Sequence, residues 1–152
     1  MLMKTHMAIA VFFILLFVNS VSSKLVFIFI MLIATLIPDL DSGFSTIGNS
    51  RVARIFQIFV THRGVFHSFT FCIIVSILLA AFVPVLALPF FFGYSLHLFS
   101  DSFTREGIKP FWPWSKTSSW LFRTGGLFET NLLIVFTILD ILVFVLIVSS
   151  IF

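Results

Sequence analysis

Long apolar runs broken by short polar clusters organise this chain from end to end. The runs extend from Thr5 to Val18, Leu25 to Ile37, Val65 to Val83, Pro89 to Ser100 and Leu132 to Phe152. A helix needs ~20 apolar residues to cross a ~30 Å hydrocarbon layer, so the pattern predicts about five spans, the first two of them short. The polar link Asn19-Ser20-Val21-Ser22-Ser23-Lys24 joins the first pair, and Pro84 and Pro89 bracket a predicted reversal between the third and fourth. Two polar loops, Pro38 to Arg63 and Ser102 to Glu129, supply the remaining connections. The predicted fold is therefore all-α: one integral membrane domain over residues 1–152, built as a polytopic helical bundle.

Composition narrows the class in the same direction. Hydrophobic residues make up 60% of the chain and charged residues 10%, with 23 phenylalanines and a mean hydropathy of +1.20. Such a chain cannot offer water a polar surface, so the membrane is its solvent and membrane lipid its first partner. The net charge of +3 is too small and too scattered for nucleic acid. The one cysteine, Cys72, sits in an apolar run, can form no internal disulfide and reads as a buried inert thiol.

The distribution of positive charge predicts an orientation. With the N-terminus in the cytoplasm, Lys4, Arg51, Arg54, Arg63, Arg105, Lys109, Lys116 and Arg123 fall inside and Lys24 falls outside. That bias predicts a multi-pass protein of the cell (inner or plasma) membrane, with both polar loops cytoplasmic and the C-terminus outside. The basic start, short apolar core and small residues Val21-Ser22-Ser23 also resemble a signal peptide. Retention is expected, because cleavage near Ser23 would discard His6 and leave the second segment without its hairpin partner.

The polar clusters hold the candidate chemistry. His6 opens the first run; Asp39 and Asp41 close the second; His62 and His67 open the third; His97 and Asp101 close the fourth; Glu129 opens the fifth. Alternating helix direction brings every one of them to the same predicted face, the cytoplasmic boundary. Imidazole and carboxylate near hydrocarbon are costly and tend to be functional, and their convergence points to a metal site. His97 and Asp101 are four apart, which sets both on one side of a helix. Asp-x-Asp after Pro38 can aim two carboxylates at one point. A mixed histidine and carboxylate set suits zinc, manganese or iron better than a soft metal, with zinc first. Eight candidates exceed the four ligands of one tetrahedral zinc, so one or two ions per chain, with acid–base and supporting groups, would use them.

Each cluster also has a reading without a metal. His6 could be an interfacial histidine, Asp39 a helix stop, Asp41 a cap, His97 and Asp101 a hydrogen-bonded pair, and Arg63 a cytoplasmic anchor. Collected on one face they favour the metal. Asp140 and Glu106 stand apart and are left outside the site.

The ordered set Thr5-His6, Ile37-Pro38-Asp39-Leu40-Asp41, His62-Arg63-Gly64-Val65-Phe66-His67-Ser68 and Gly93 to Thr104, followed by Gly107 and Phe111-Trp112-Pro113-Trp114, resembles the YdjM-like family of inner-membrane metal-dependent hydrolases. The likeness runs from residue 5 to about residue 129. It implies a multi-helix membrane protein with a metal-dependent hydrolase site, and strengthens fold and site more than substrate. One departure is Phe66, where members similar to this chain commonly place a threonine before the second histidine.

In a catalytic site, the ion would acidify water and polarise the scissile oxygen. Arg63, with its planar fork of donors, would hold a phosphate or carboxylate of the substrate, and Glu129 would be a ligand or the general base. A site at headgroup depth favours an amphiphilic substrate, first of all a lipid phosphoester. Arg105, Lys109, Lys116 and Arg123 would attract its anionic head, and Phe111-Trp112-Pro113-Trp114 reads as an interfacial anchor. Two rivals remain: a metal-ion or proton transporter, which should carry ionisable groups deep in its spans, and a non-enzymatic protein with a closed structural metal site.

Overall fold

A computed structural model describes residues 1–41 and 65–150, with Leu40 and Asp41 as backbone only. Among the described residues the architecture is all-helical: α1 (Met3–Phe17), α2 (Lys24–Leu36), α3 (Phe69–Phe82), α4 (Pro84–Ser102) and α5 (Leu127–Ser149). Short 3-10 turns follow α1 at Val18–Ser20 and α2 at Ile37–Asp41. Pro38 explains the second, since it has no N–H to continue the i→i−4 ladder and the chain tightens instead.

Helix α4 is the axis of the bundle, packing against α2, α3 and α1. Phe27, Met31, Ala34 and Thr35 recur at helical spacing and bury one stripe of α2. Facing them, α4 buries Phe90, Gly93, Tyr94, His97, Leu98 and Asp101. The two backbones come close at Gly93, where an added Cβ would lie 2.3 Å from the Met31 carbonyl oxygen. Only glycine fits that crossing. By contrast α5 packs against α1 and against no other described helix, and Glu129 is its one buried residue.

Three boundaries differ clearly from the expected ones: α5 starts at Leu127, five residues before Leu132, and α3 and α4 also begin elsewhere. The reversal between α3 and α4 takes place at Val83 alone, not over Pro84 to Pro89. Pro84 is the first residue of α4, where a missing N–H costs nothing, and Pro89 lies inside the helix, buried. Helix α3 starts at Phe69, later than Val65, because Ser68 caps it: its Oγ accepts the Phe71 N–H at 3.2 Å.

The polar segment between α4 and α5 folds back on itself. Ile108 and Ser118 exchange backbone hydrogen bonds of 2.9 and 2.8 Å, and the Phe69 N–H donates to the Pro110 carbonyl at 2.8 Å. These ties bury Ile108 with Cys72, Tyr94 and Leu98 in the core. Gly107 makes the turn possible, with φ +61 and the Ser118 carbonyl oxygen 2.4 Å from any Cβ placed there.

Met3–Ser20 and Leu127–Ser149 are long and apolar enough to cross a bilayer. Helices α2 and α3, at 13 and 14 residues, are shorter than a full span. Two crossing-length helices are thus present among the described residues where about five spans were expected.

Candidate metal centre

One end of the bundle gathers the start of α1, the end of α2, the start of α3 and the end of α4, and there the polar residues meet. His6 stands one turn into α1, Asp39 in the turn after α2, His67 just before α3, and His97 and Asp101 on one face of the last turns of α4. His6, His67, His97 and Asp101 are each no more than 2% exposed. Asp39 keeps some reach to solvent, its side chain 14% exposed.

The donor atoms face one another. His6 Nε2 is 3.2 Å from Asp101 Oδ1, His97 Nε2 is 3.6 Å from Asp101 Oδ2, His67 Nε2 is 3.8 Å from the same oxygen, and His97 Nε2 is 3.9 Å from Asp39 Oδ1. Ligands bound at the 2.0–2.1 Å of tetrahedral zinc lie ~3.4 Å apart, so these spacings are those of donors around an ion. Two sets meet this condition, His6 with His97 and Asp101, and Asp39 with His67 and His97.

The tautomer of His97 sharpens the point. Its Nδ1 lies 2.8 Å from the Thr35 carbonyl oxygen. A carbonyl can only accept, so Nδ1 carries the proton. In the neutral ring Nε2 is then a bare lone pair, aimed at two carboxylates and without a hydrogen-bond partner. Three electron-rich atoms repel unless a proton or cation stands among them. A backbone carbonyl behind one ring nitrogen is also how metal-binding histidines are commonly oriented. His6 stacks on His97 with ring centroids 3.9 Å apart, and neither of its nitrogens makes a hydrogen bond of good geometry.

Helix dipoles add to the same field. Asp101 and Asp39 sit at the C-terminal ends of α4 and α2, which are already partially negative, and neither helix has a basic residue in its last turn. Carboxylates are disfavoured there, and a cation would offset both. The described cation in contact is the Met1 amine, which pairs with Asp101 Oδ1.

Glu129 occupies the opposite electrostatic setting. It lies in the first turn of α5, where a carboxylate is favoured. Its Oε1 accepts from the Leu2 N–H at 2.5 Å and from Thr5 Oγ1 at 2.9 Å, and its Oε2 accepts from the Gly125 N–H at 2.6 Å. The structure places it as a clasp between α1 and α5, outside both donor sets. The Asp41 side chain, His62 and Arg63 lie outside the described residues.

Several supporting groups had no signal in the sequence. Thr35 contributes a backbone oxygen to His97, while its hydroxyl bonds the Met31 and Gly93 carbonyls at 2.8 and 3.2 Å. Tyr94 donates to the Phe66 carbonyl at 2.5 Å and so fixes the residue next to His67. A backbone acceptor is invisible in a residue list. The Thr35 hydroxyl, four residues before Asp39, could at most have been noticed as a polar residue on an apolar helix.

Crossing-length apolar helices together with a buried histidine and carboxylate cluster define a helical membrane protein with groups able to hold a metal ion. The chain belongs to the YdjM inner membrane protein family, whose profile matches residues 1–151. No curated protein and no solved structure gives a match.

Proposed function

We propose that this protein is a membrane-bound, metal-dependent hydrolase, with its site at the cytoplasmic boundary and an amphiphilic phosphoester as substrate. The observation that carries the reading is the bare Nε2 of His97 turned toward Asp39 and Asp101. His97 belongs to both donor sets, and with Nδ1 engaged its Nε2 can serve one ion only. That supports a single ion, zinc first and manganese or iron next, held by His97 and Asp101 with donors from His6, His67 and Asp39.

A divalent ion held by these donors would supply Lewis acidity, acidifying water and polarising a phosphoryl or acyl oxygen. The chain's own residues supply the rest. Thr35 orients His97; the buried faces of α1 and α4 keep bulk water from the histidines; Asp39, the most accessible donor, marks the side on which substrate approaches. Glu129 positions α1, and with it His6, through its bonds to Leu2 and Thr5. Arg63 remains the proposed anion clamp. The bias of basic residues supports a cytoplasmic N-terminus and an external C-terminus.

The partial exposure of Asp39 favours an open, catalytic coordination position over a closed structural one. A transport path would need ionisable groups along the spans. Asp140 is the one deep in α5, and it belongs to neither donor set.

The test is metal analysis of the purified full chain together with a hydrolysis screen on lipid and alkyl phosphoesters. One ion per chain is expected, lost by ~10-fold or more in affinity in His97→Ala and Asp101→Ala, with hydrolysis abolished by chelation and restored by zinc. Full metal stoichiometry in both variants would remove the two residues from the ligand set. Bound metal without hydrolysis of any phosphoester would turn the reading to a structural ion.

A further inference from the structure

Between α1, α4 and the first half of α5 lies a cavity of about 400 Å³. Phe13, Leu96, Phe103, Phe128, Leu132 and Phe136 form its apolar wall. None of the five donor residues lines it, yet it begins beside them: Ser100, in the wall, precedes Asp101, and Met1, also in the wall, contacts Asp101 through its amine. From Glu129 to Phe136 the cavity follows α5 for about 10 Å of helix. Phe99, another lining residue, is 58% exposed and Phe128 46%, so the cavity opens on the flank of the bundle.

We propose that this cavity is the hydrocarbon-chain subsite of the enzyme: one alkyl or acyl chain of an anionic amphiphile lies in it, with the anionic head held between Arg123 and the histidine–carboxylate cluster. This rests on the reading of the site as a phosphoester hydrolase. Three observations select the occupant. The hydroxyls in the wall are already spent, Ser100 on the Leu96 carbonyl at 2.7 Å and Thr104 on the Asp101 carbonyl at 2.8 Å, so a polar ligand would find no free hydroxyl there. The volume falls in the ~300–1,000 Å³ range of small-ligand sites, far too small for a helix. An apolar cavity of this kind excludes water and takes apolar guests. At its polar end Arg123 is exposed and makes no ion pair among the described residues, leaving a cation on the rim for an anionic head.

Photolabelling of the full chain in phosphatidylcholine nanodiscs, with a hexadecyl phosphate carrying a diazirine on its chain, tests this. Labels should fall on segments 96–103 and 128–136, saturate, and be displaced by unmodified hexadecyl phosphate but not by inorganic phosphate. At matched mole fraction in the bilayer, competitor potency should change with chain length up to the length that fills the cavity and be level beyond it, whereas bulk lipid would compete equally at every length. Leu132→Trp should cut labelling about tenfold, and Ile138→Trp, on the outer face of α5, should leave it unchanged. Labelling that never saturates, or that spreads along the outer face of α5, overturns the subsite in favour of bulk lipid. Should Leu132→Trp not fold, the chain-length series on the unaltered protein decides alone. Saturable labelling that persists in His97→Ala, with no phosphoester hydrolysed by the parent protein, keeps the subsite and removes the hydrolase. Hydrolysis of hexyl and hexadecyl phosphate with equal kcat/KM and no saturable labelling does the reverse.

Discussion

Helices α4 and α5 have similar lengths and opposite surroundings. The first is enclosed by α1, α2 and α3 and carries Tyr94, His97, Ser100 and Asp101 on buried faces. The second packs, among the described helices, against α1 alone and turns Ile134, Val135, Ile138, Ile141, Leu142 and Val145 outward, each more than half exposed. Polar chemistry is concentrated where protein surrounds the helix, since an imidazole or carboxylate facing hydrocarbon has nothing to pay its desolvation. Where lipid is the neighbour, the sequence becomes almost uniformly apolar.

Three substitutions probe that contrast, in decreasing order of effect. Gly93→Ala drives a methyl into the Met31 carbonyl across the α2–α4 crossing. A loss of about 3 kcal/mol is expected, read as a lower thermal midpoint of the detergent-solubilised protein; an unchanged midpoint would mean the two backbones can part freely. Glu129→Ala removes the acceptor of two hydrogen bonds that clasp α5 to the start of α1, from Leu2 and Thr5, and of a third that ties in the Gly125 N–H. Bonds to a charged acceptor place the cost at about 2 kcal/mol, and trypsin should cut faster after Arg123 while metal content falls far less than in His97→Ala. A large fall in metal content with no change in stability would instead make Glu129 a ligand. Ile138→Val, on the lipid-exposed face, should change the midpoint by less than about 0.5 kcal/mol. A larger loss would show that another protein surface covers that face.

Much of the polar end was legible because helix direction alternates along the chain. His6, Asp39, His67, His97 and Asp101 stand at alternate ends of successive apolar runs, so the topology alone predicts that they meet. Glu129 is also found at that end, but the same rule could not separate a residue clasped by Leu2, Thr5 and Gly125 from one facing the histidines, because a few ångströms decide it. The start of α4 was misread: Pro84 fits the first helical position, but Pro89 lies five residues further on and interrupts the i→i−4 ladder, and sequence cannot tell an interior proline held by packing from a turn. The length of α2 was legible as short. Helix α1, also expected to be short, reaches crossing length with its 3-10 turn, while α3, expected from Val65 to Val83, runs only from Phe69 to Phe82. The expected five spans are not matched by helices of crossing length among the described residues. The Thr35 carbonyl and the Gly93 crossing depend on how α2 and α4 dock, which no local pattern records.

The bond from His97 to Thr35 has a genetic consequence. The oxygen that sets the imidazole's tautomer belongs to the main chain, so exchanging the side chain at position 35 does not delete it. A mutational scan should therefore tolerate small residues at position 35 apart from the lost hydroxyl contacts to Met31 and Gly93, while bulky ones fail by packing against α4. Orientation of the central histidine is thereby insulated from simple loss of the Thr35 side chain, and substitutions that shift the end of α2, such as those at Pro38, are the ones that reach it.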